Sequence, residues 1–186
     1  MKNYIVIGIK LTLATIVFFA GIYTLFIFGI AQIAPNQGKG IVVESNGKKF
    51  YKNIGQSFTD AKYFNSRPSA VGYNAAGSGG SNKGPSNPEY LAEVQKRIDT
   101  FLIQNPDIKA NEIPADLVTA SGSGLDPNIS VQGAKVQIKR IAKTRNIEES
   151  KLEKLIAENT EKPLLGVFGP EKINVLQLNI GLDKLK

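Results

Sequence analysis

The chain has 186 residues, with 23 Lys+Arg against 16 Asp+Glu, a formal charge of +7, and neither histidine nor cysteine. Without Cys there are no disulfides and no thiolate chemistry, and without His there are no His-based triads, usual zinc sites or imidazole general base. A mild basic balance with no basic run and no binding motif argues against nucleic acid and suits an anionic partner surface or lipid headgroups.

Residues 1–10 read as a short tail. Residues 11–33, LTLATIVFFAGIYTLFIFGIAQI, carry no charge. As a helix this run rises about 1.5 Å per residue and spans roughly 35 Å, enough for a hydrocarbon core of about 30 Å. It is longer than the apolar core of a signal peptide, and Ala31-Gln32-Ile33 is a poor cleavage site, so a retained membrane helix is expected. Thr12, Gly21, Thr24 and Gly29 allow close helix approach without forming a G-x-x-x-G pattern. Lys2 and Lys10 precede the run and Lys39, Lys48 and Lys49 follow it, so the positive-inside bias is nearly tied. Residues 34–186 are then one polar domain, long enough for a single hydrophobic core. Setting Lys2 and Lys10 aside leaves the rest of the chain at +5.

Within that domain, Asn46-Gly47 between Ile41-Val42-Val43 and Phe50-Tyr51 predicts a hairpin, because a type I′ turn needs positive φ at both central positions. Residues 63–88, YFNSRPSAVGYNAAGSGGSNKGPSNP, are rich in Gly, Ser, Asn and Pro. Composition alone suits a flexible linker. Arg67, Tyr73 and the pair Tyr63-Phe64 tilt the reading towards an ordered binding loop. Residues 88–105 predict a helix, capped by Asn87 with Pro88 at its first position. Its apolar face, Leu91, Val94, Ile98, Phe101 and Leu102, is expected in the core.

Residues 113–130, IPADLVTASGSGLDPNIS, form a second polar loop. Leu117-Val118 reads as a short buried strand, residues 121–124 as a tight turn, and Asp126-Pro127 as the start of another. Asp116 and Asp126 flank this loop and read as turn-fixing groups rather than a catalytic carboxylate pair. Residues 131–145 predict a second helix with Val131, Ala134, Ile138, Ile141 and Ala142 on one face. Its basic residues, Lys135, Lys139, Arg140, Lys143 and Arg145, read as a solvated face or a docking surface for an acidic partner. A third helix is expected over 147–159, with Leu152, Leu155 and Ile156 inward and Asn146 and Glu149 at capping-box spacing. Residues 164–168 predict a strand, turned back by Gly169-Pro170. Residues 173–182 alternate, with Leu176, Leu178, Ile180 and Leu182 on one side, and predict a half-buried C-terminal strand. The expected fold is a single N-terminal transmembrane helix followed by one α+β domain of about three helices packed on a small sheet.

Sites of chemistry are scarce. Residues 77–84 have the composition of a phosphate loop, but Lys83 is followed by Gly rather than Ser or Thr. Gly122-Ser123-Gly124 lacks the third glycine of a dinucleotide fingerprint. Ser69, Ser78, Ser121 and Ser123 have no His to activate them. No catalytic and no metal-ligating residue is assigned.

The strings YFNSRPSAVGYNAAGSGGSNKGPSNP, IPADLVTASGSGLDPNIS and NVLQLNIGLD, in this order behind one N-terminal anchor, resemble the C subunit of the Kdp high-affinity potassium-transporting ATPase. The resemblance covers essentially the whole chain. In that family a His usually follows Asp-Pro in the second loop; Asn128 stands there in this sequence, so the ring is not essential to the loop. The resemblance implies an accessory, non-catalytic subunit of an ATP-driven potassium uptake pump, single-pass in the cell membrane, with its N-terminus cytoplasmic and its polar domain extracytoplasmic. Its implied partners are a P-type ATPase subunit and a channel-like potassium-translocating subunit. It also implies a catalytic-chaperone role that raises the pump's apparent ATP affinity. A domain outside the cytoplasm cannot touch cytoplasmic ATP, so coupling through partner contacts is the expected route and direct ATP contact the lesser one; no cofactor is assigned to the chain itself. The candidates for partner or ligand contact are Asn65, Ser66, Arg67, Ser81, Asn82, Asn87, Ser121, Ser123 and Asp126. Arg67 stands first, because its planar fork can bind partner carboxylates or carbonyls. The rival reading is a stand-alone, membrane-anchored ligand-binding domain or enzyme.

Overall fold

The computed structural model describes residues 2–34, 36–45 and 47–185, which divide into a first unit ending at Val42 and a second beginning at Val43. The first unit is built on one continuous helix, α1 (Lys2–Ile33), long and apolar enough to cross a membrane. It begins well before the uncharged run, so residues 2–10 continue the same helix. None of its residues is buried, and its apolar surface runs all round. Val17–Tyr23 widens into a π-helical turn, and the Thr24 hydroxyl donates to the Phe19 carbonyl, five residues back, at 2.9 Å. The helix stops at Ala34, which is extended at φ −65° and ψ 147°; a residue before proline is driven out of the helical region by the ring.

At the start of the second unit, β1 (Val42–Ser45), whose first residue is the last of the first unit, and β2 (Lys48–Tyr51) pair as a two-stranded ribbon. Of the predicted turn pair, Gly47 has φ +72° and Asn46 lies outside the described residues. Helix α2 (Pro88–Gln104) starts as expected: the Asn87 side chain accepts from the Tyr90 amide, with Pro in the first turn. Its apolar face is less covered than the spacing suggested. Only Phe101 is buried, and Leu91 is 51% exposed, because among the described residues no other helix or strand is in extensive contact with α2. Leu117 and Val118 are buried, but Ala115–Leu117 is a 3-10 turn rather than a strand.

The core is built by the C-terminal half. Strand β3 (Asn128–Ile129) leads into α3 (Val131–Lys135) and α4 (Ile138–Arg145). These are two helices where the apolar period predicted one. The chain tightens at Gln137, whose amide donates to the Ala134 carbonyl three residues back and whose side chain points inward. Asn146, in left-handed conformation at φ 53°, ends α4. It therefore does not cap α5 (Glu149–Asn159), which has Glu148 at its N-cap without a side-chain bond. Leu152, Leu155 and Ile156 point inward as expected.

Strand β4 (Thr160–Glu161) and β5 (Lys172–Asn174) complete an antiparallel sheet in the order β3–β5–β4. Asn128 faces Asn174, and Ile129 and Thr160 both face Ile173. The predicted C-terminal strand is wrong beyond Asn174: residues Val175–Lys184 are helix α6. The Asn174 side chain accepts from the Gln177 amide and so caps it. Val175, Leu176, Leu178, Asn179 and Leu182 are its buried residues, a spacing of one, three, four and seven that is helical and contains the misleading alternation within it. Phe64, Ile141, Leu152, Ile156, Ile173, Leu178 and Leu182 form the centre of the core.

The predicted strand at 164–168 is instead a tight hairpin with a single bridge between Leu164 and Phe168. Leu165 at φ 54° and Gly166 at φ 77° occupy its two central positions. A left-handed leucine costs roughly 1–2 kcal/mol relative to the ordinary region. The chain turns too soon for these residues to join the sheet.

Candidate functional site

The polar loop that follows Tyr63 is held from below by buried polar side chains. Asn179 on α6 accepts from the Phe64 amide and donates to the Phe64 carbonyl, both at 2.9 Å. Gln137 accepts from the Asn65 amide at 2.8 Å and donates to the Gly133 carbonyl. Arg140 is 8% exposed and donates to the carbonyls of Ala61 and Tyr63 and to the side chains of Asn65, Asn105 and Gln137. It is therefore not part of a solvated basic face. Burial pushes its guanidinium down to about 10, opposed by the Asp60 carboxylate, and it stays charged at neutral pH. Arg145 likewise turns inward, to Asp183 at 2.6 Å and over the Tyr63 ring.

Above this floor the two polar loops lock together. Arg67 Nη1 donates to Asp126 Oδ2 at 2.9 Å, while Arg67 Nε is buried without a hydrogen-bond partner among the described residues. The Ser69 hydroxyl donates to the Gly124 carbonyl at 2.7 Å and accepts from the amides of Val71 and Tyr73. The Tyr73 hydroxyl donates to the Arg67 carbonyl at 2.5 Å, and burial raises the Tyr73 pKa. The Gly79 amide and the Ser78 hydroxyl both donate to the Ser123 carbonyl. Gly124, at φ +67°, is pressed so closely that a Cβ there would lie 2.6 Å from Val71 Cγ2 and 2.8 Å from the Gly79 carbonyl oxygen. The glycines let backbone meet backbone, and the first loop is an ordered surface rather than a linker.

The structure brings Arg67, Ser121, Ser123 and Asp126 together at this junction. Ser121 is buried, and its hydroxyl accepts from the Asp126 amide at 3.5 Å. Ser123 Oγ accepts from the Leu125 amide, and Asp126 Oδ1 from the Asn128 amide and side chain. Asn65 and Ser66 sit at the base, where Asn65 donates to the Phe58 carbonyl and Ser66 to the Gln56 carbonyl. Ser81 and Asn82 are exposed further along, and Asn87 is the cap of α2. Asp116 has a separate job: its carboxylate accepts from the amide and hydroxyl of Ser130. Gln137, Arg140 and Asn179 were not expected at the site. Their only sequence signal is a polar residue on an otherwise apolar helical face. A cleft of about 440 Å³ opens beside the junction, walled by Asn65, Ser66, Pro68, Tyr73, Arg97 and Phe101. The exposed residues of the junction, among them Ala70, Gly72, Asn74, Ser78, Gly122 and Ser123, are small, so its outward surface is largely backbone.

A family model described as K+-transporting ATPase, c chain (KdpC), matches residues 5–184. The chain is 57% identical to a Potassium-transporting ATPase KdpC subunit from Flavobacterium johnsoniae, over 100% of both chains. It is 53% identical to the KdpC subunit of Bacteroides fragilis over 96% of each, and 44% identical to that of Clostridioides difficile over 88% of each.

Proposed function

Because the chain belongs to the KdpC family of K+-transporting ATPase subunits, we propose that it is an accessory, non-catalytic subunit that docks its interlocked loops onto the other subunits of the pump. Helix α1 holds it in the cell membrane beside the channel-like subunit, with the N-terminus cytoplasmic and the polar domain outside. The loops then bias the pump's conformation, and the apparent ATP affinity of the P-type subunit rises through that contact rather than through a nucleotide site in this chain. The observation that carries this reading is the Arg67–Asp126 junction, where two glycine-rich loops are braced into one ordered polar surface. Rigid loops bind with less loss of conformational entropy than a flexible linker does.

The test is Ser81→Trp in the complete pump. Ser81 is exposed, so the substitution leaves the core untouched and adds bulk to the docking surface. A lower yield of co-purified subunits, or a raised apparent KM for ATP in potassium-stimulated hydrolysis, is expected. Unchanged yield and unchanged KM, for this variant and for Arg67→Ala, would overturn the assignment.

A further inference from the structure

Residues 163–170, PLLGVFGP, contain no polar side chain. In the hairpin they form, Leu164, Leu165, Val167 and Phe168 are 63–83% exposed. Neither packing nor local conformation accounts for Leu165. It is the most exposed of the four, and it occupies a left-handed position that Asn or Gly fills more easily. A large apolar residue that opposes both terms is placed for something outside its own domain.

The backbone of the hairpin points to what that is. The Leu164 and Phe168 amides donate to each other's carbonyls, the Gly166 amide to the Pro163 carbonyl, and the Val167 amide to the Leu164 carbonyl. Four of the five amides from 164 to 168 are thus satisfied within the tip, which lowers the cost of moving it from water to the polar–apolar boundary of a bilayer, where the Leu165 amide can still meet water or a headgroup. A protein interface carries a polar rim around its apolar anchors, and this stretch supplies no polar side chain for one. Lys162, exposed and outside every ion pair among the described residues, flanks the hairpin on one side, and Glu171 and Lys172, the latter paired with Glu161 at 3.7 Å, flank it on the other. The Lys162 side chain can lay its stem on apolar surface and keep its ammonium group among anionic headgroups. The domain is also joined to α1 by fewer than ten residues, a reach of about 30 Å at most.

We propose that the 163–170 hairpin dips into the lipid bilayer as a second membrane contact, which fixes how the polar domain faces the membrane that α1 spans. This rests on the reading of α1 as a membrane anchor, and the test keeps the two apart. The chain has no cysteine, so Leu165→Cys gives a single site for a nitroxide label. The full chain is reconstituted into vesicles of phosphatidylethanolamine and phosphatidylglycerol, and collisions of the label with oxygen and with a water-soluble nickel complex are compared.

The expected oxygen-to-nickel ratio is several-fold above that of the same label at Lys154→Cys, an exposed position on α5, and Phe168→Asp brings it down to that of residue 154. Equal ratios at the two positions would overturn the proposal. So would a label that turns dry only when the other pump subunits are present, which would assign the hairpin to a protein pocket. Flotation of the chain with the vesicles reads α1 separately: a chain that does not float has lost the anchor itself, and the hairpin proposal falls with it.

Discussion

Arg140 shows how much one side chain can organise. Its guanidinium donates to five acceptors, drawn from residues 61–65, from Asn105 and from Gln137, with no carboxylate among them. Removing it leaves several buried oxygens without a donor, each of which costs about 1–3 kcal/mol. Arg140→Met is therefore expected to lower the unfolding free energy by about 3 kcal/mol or more, and to raise protease sensitivity first in residues 61–82. Limited proteolysis and denaturant titration of the full chain in mild detergent check this. The sequence alone could not place Arg140 inside. It stands among Lys135, Lys139 and Lys143, which remain exposed, and the segment that covers it lies 75–79 residues away. The apolar residues of α4 and of the next helix, α5, were legible, because Ile138, Ile141, Leu152 and Ile156 keep a helical period that burial explains directly.

Among the larger elements, the loop pair depends on close backbone approach. At Gly124 a methyl group would press on Val71 and on the Gly79 carbonyl, and φ +67° strains any side chain. Gly124→Ala is expected to cost about 1–3 kcal/mol and to part the loops while sparing the core. The amides of Gly79 and Val71 would then lose protection in hydrogen exchange, and those of α5 would not. That these loops carry unusual, specific sequence was plain from their strings, and so was their order along the chain. Their interlocking was not, because glycine and serine give no periodic signal. The C-terminal helix was misread for the opposite reason. Leu176, Leu178, Ile180 and Leu182 fit a period of two, and only the capping Asn174 and the buried Asn179 separate the helix from a strand.

For the molecule as a whole, pH response follows from composition and from three shifted groups. With no histidine and no cysteine, no side chain has its ordinary pKa between pH 5 and 8, so the thermal midpoint is expected to stay flat there. In acid, the Lys62 amide and then the Lys62 ammonium hold the Asp60 carboxyl below 3.8. The folded state binds fewer protons at this group, so its contribution is present above 3.8 and is lost as pH falls through the lowered value. In alkali two groups oppose each other. Tyr73 keeps its proton above 10.0 only when folded, which removes stability as pH rises. Arg140 releases its proton from about 10 when folded and only at higher pH when unfolded, which adds stability as pH rises above 10. Tyr73→Phe is expected to abolish the first effect and leave the second, and a midpoint-against-pH series of the two proteins reads the difference.

The two bonds between Asn179 and the backbone of Phe64 also bear on timing. The partners are 115 residues apart in sequence, and at about 5–20 residues per second the ribosome adds Asn179 roughly 6–23 s after Phe64. Throughout that interval the first loop leaves the ribosome without its clamp, and Gln137 and Arg140 arrive only part-way through. The surface formed by the two loops is thus completed only once α6 has been made. Helix α1 is therefore complete long before that surface exists, so the apolar segment is ready first and the interlocked loops wait for α6.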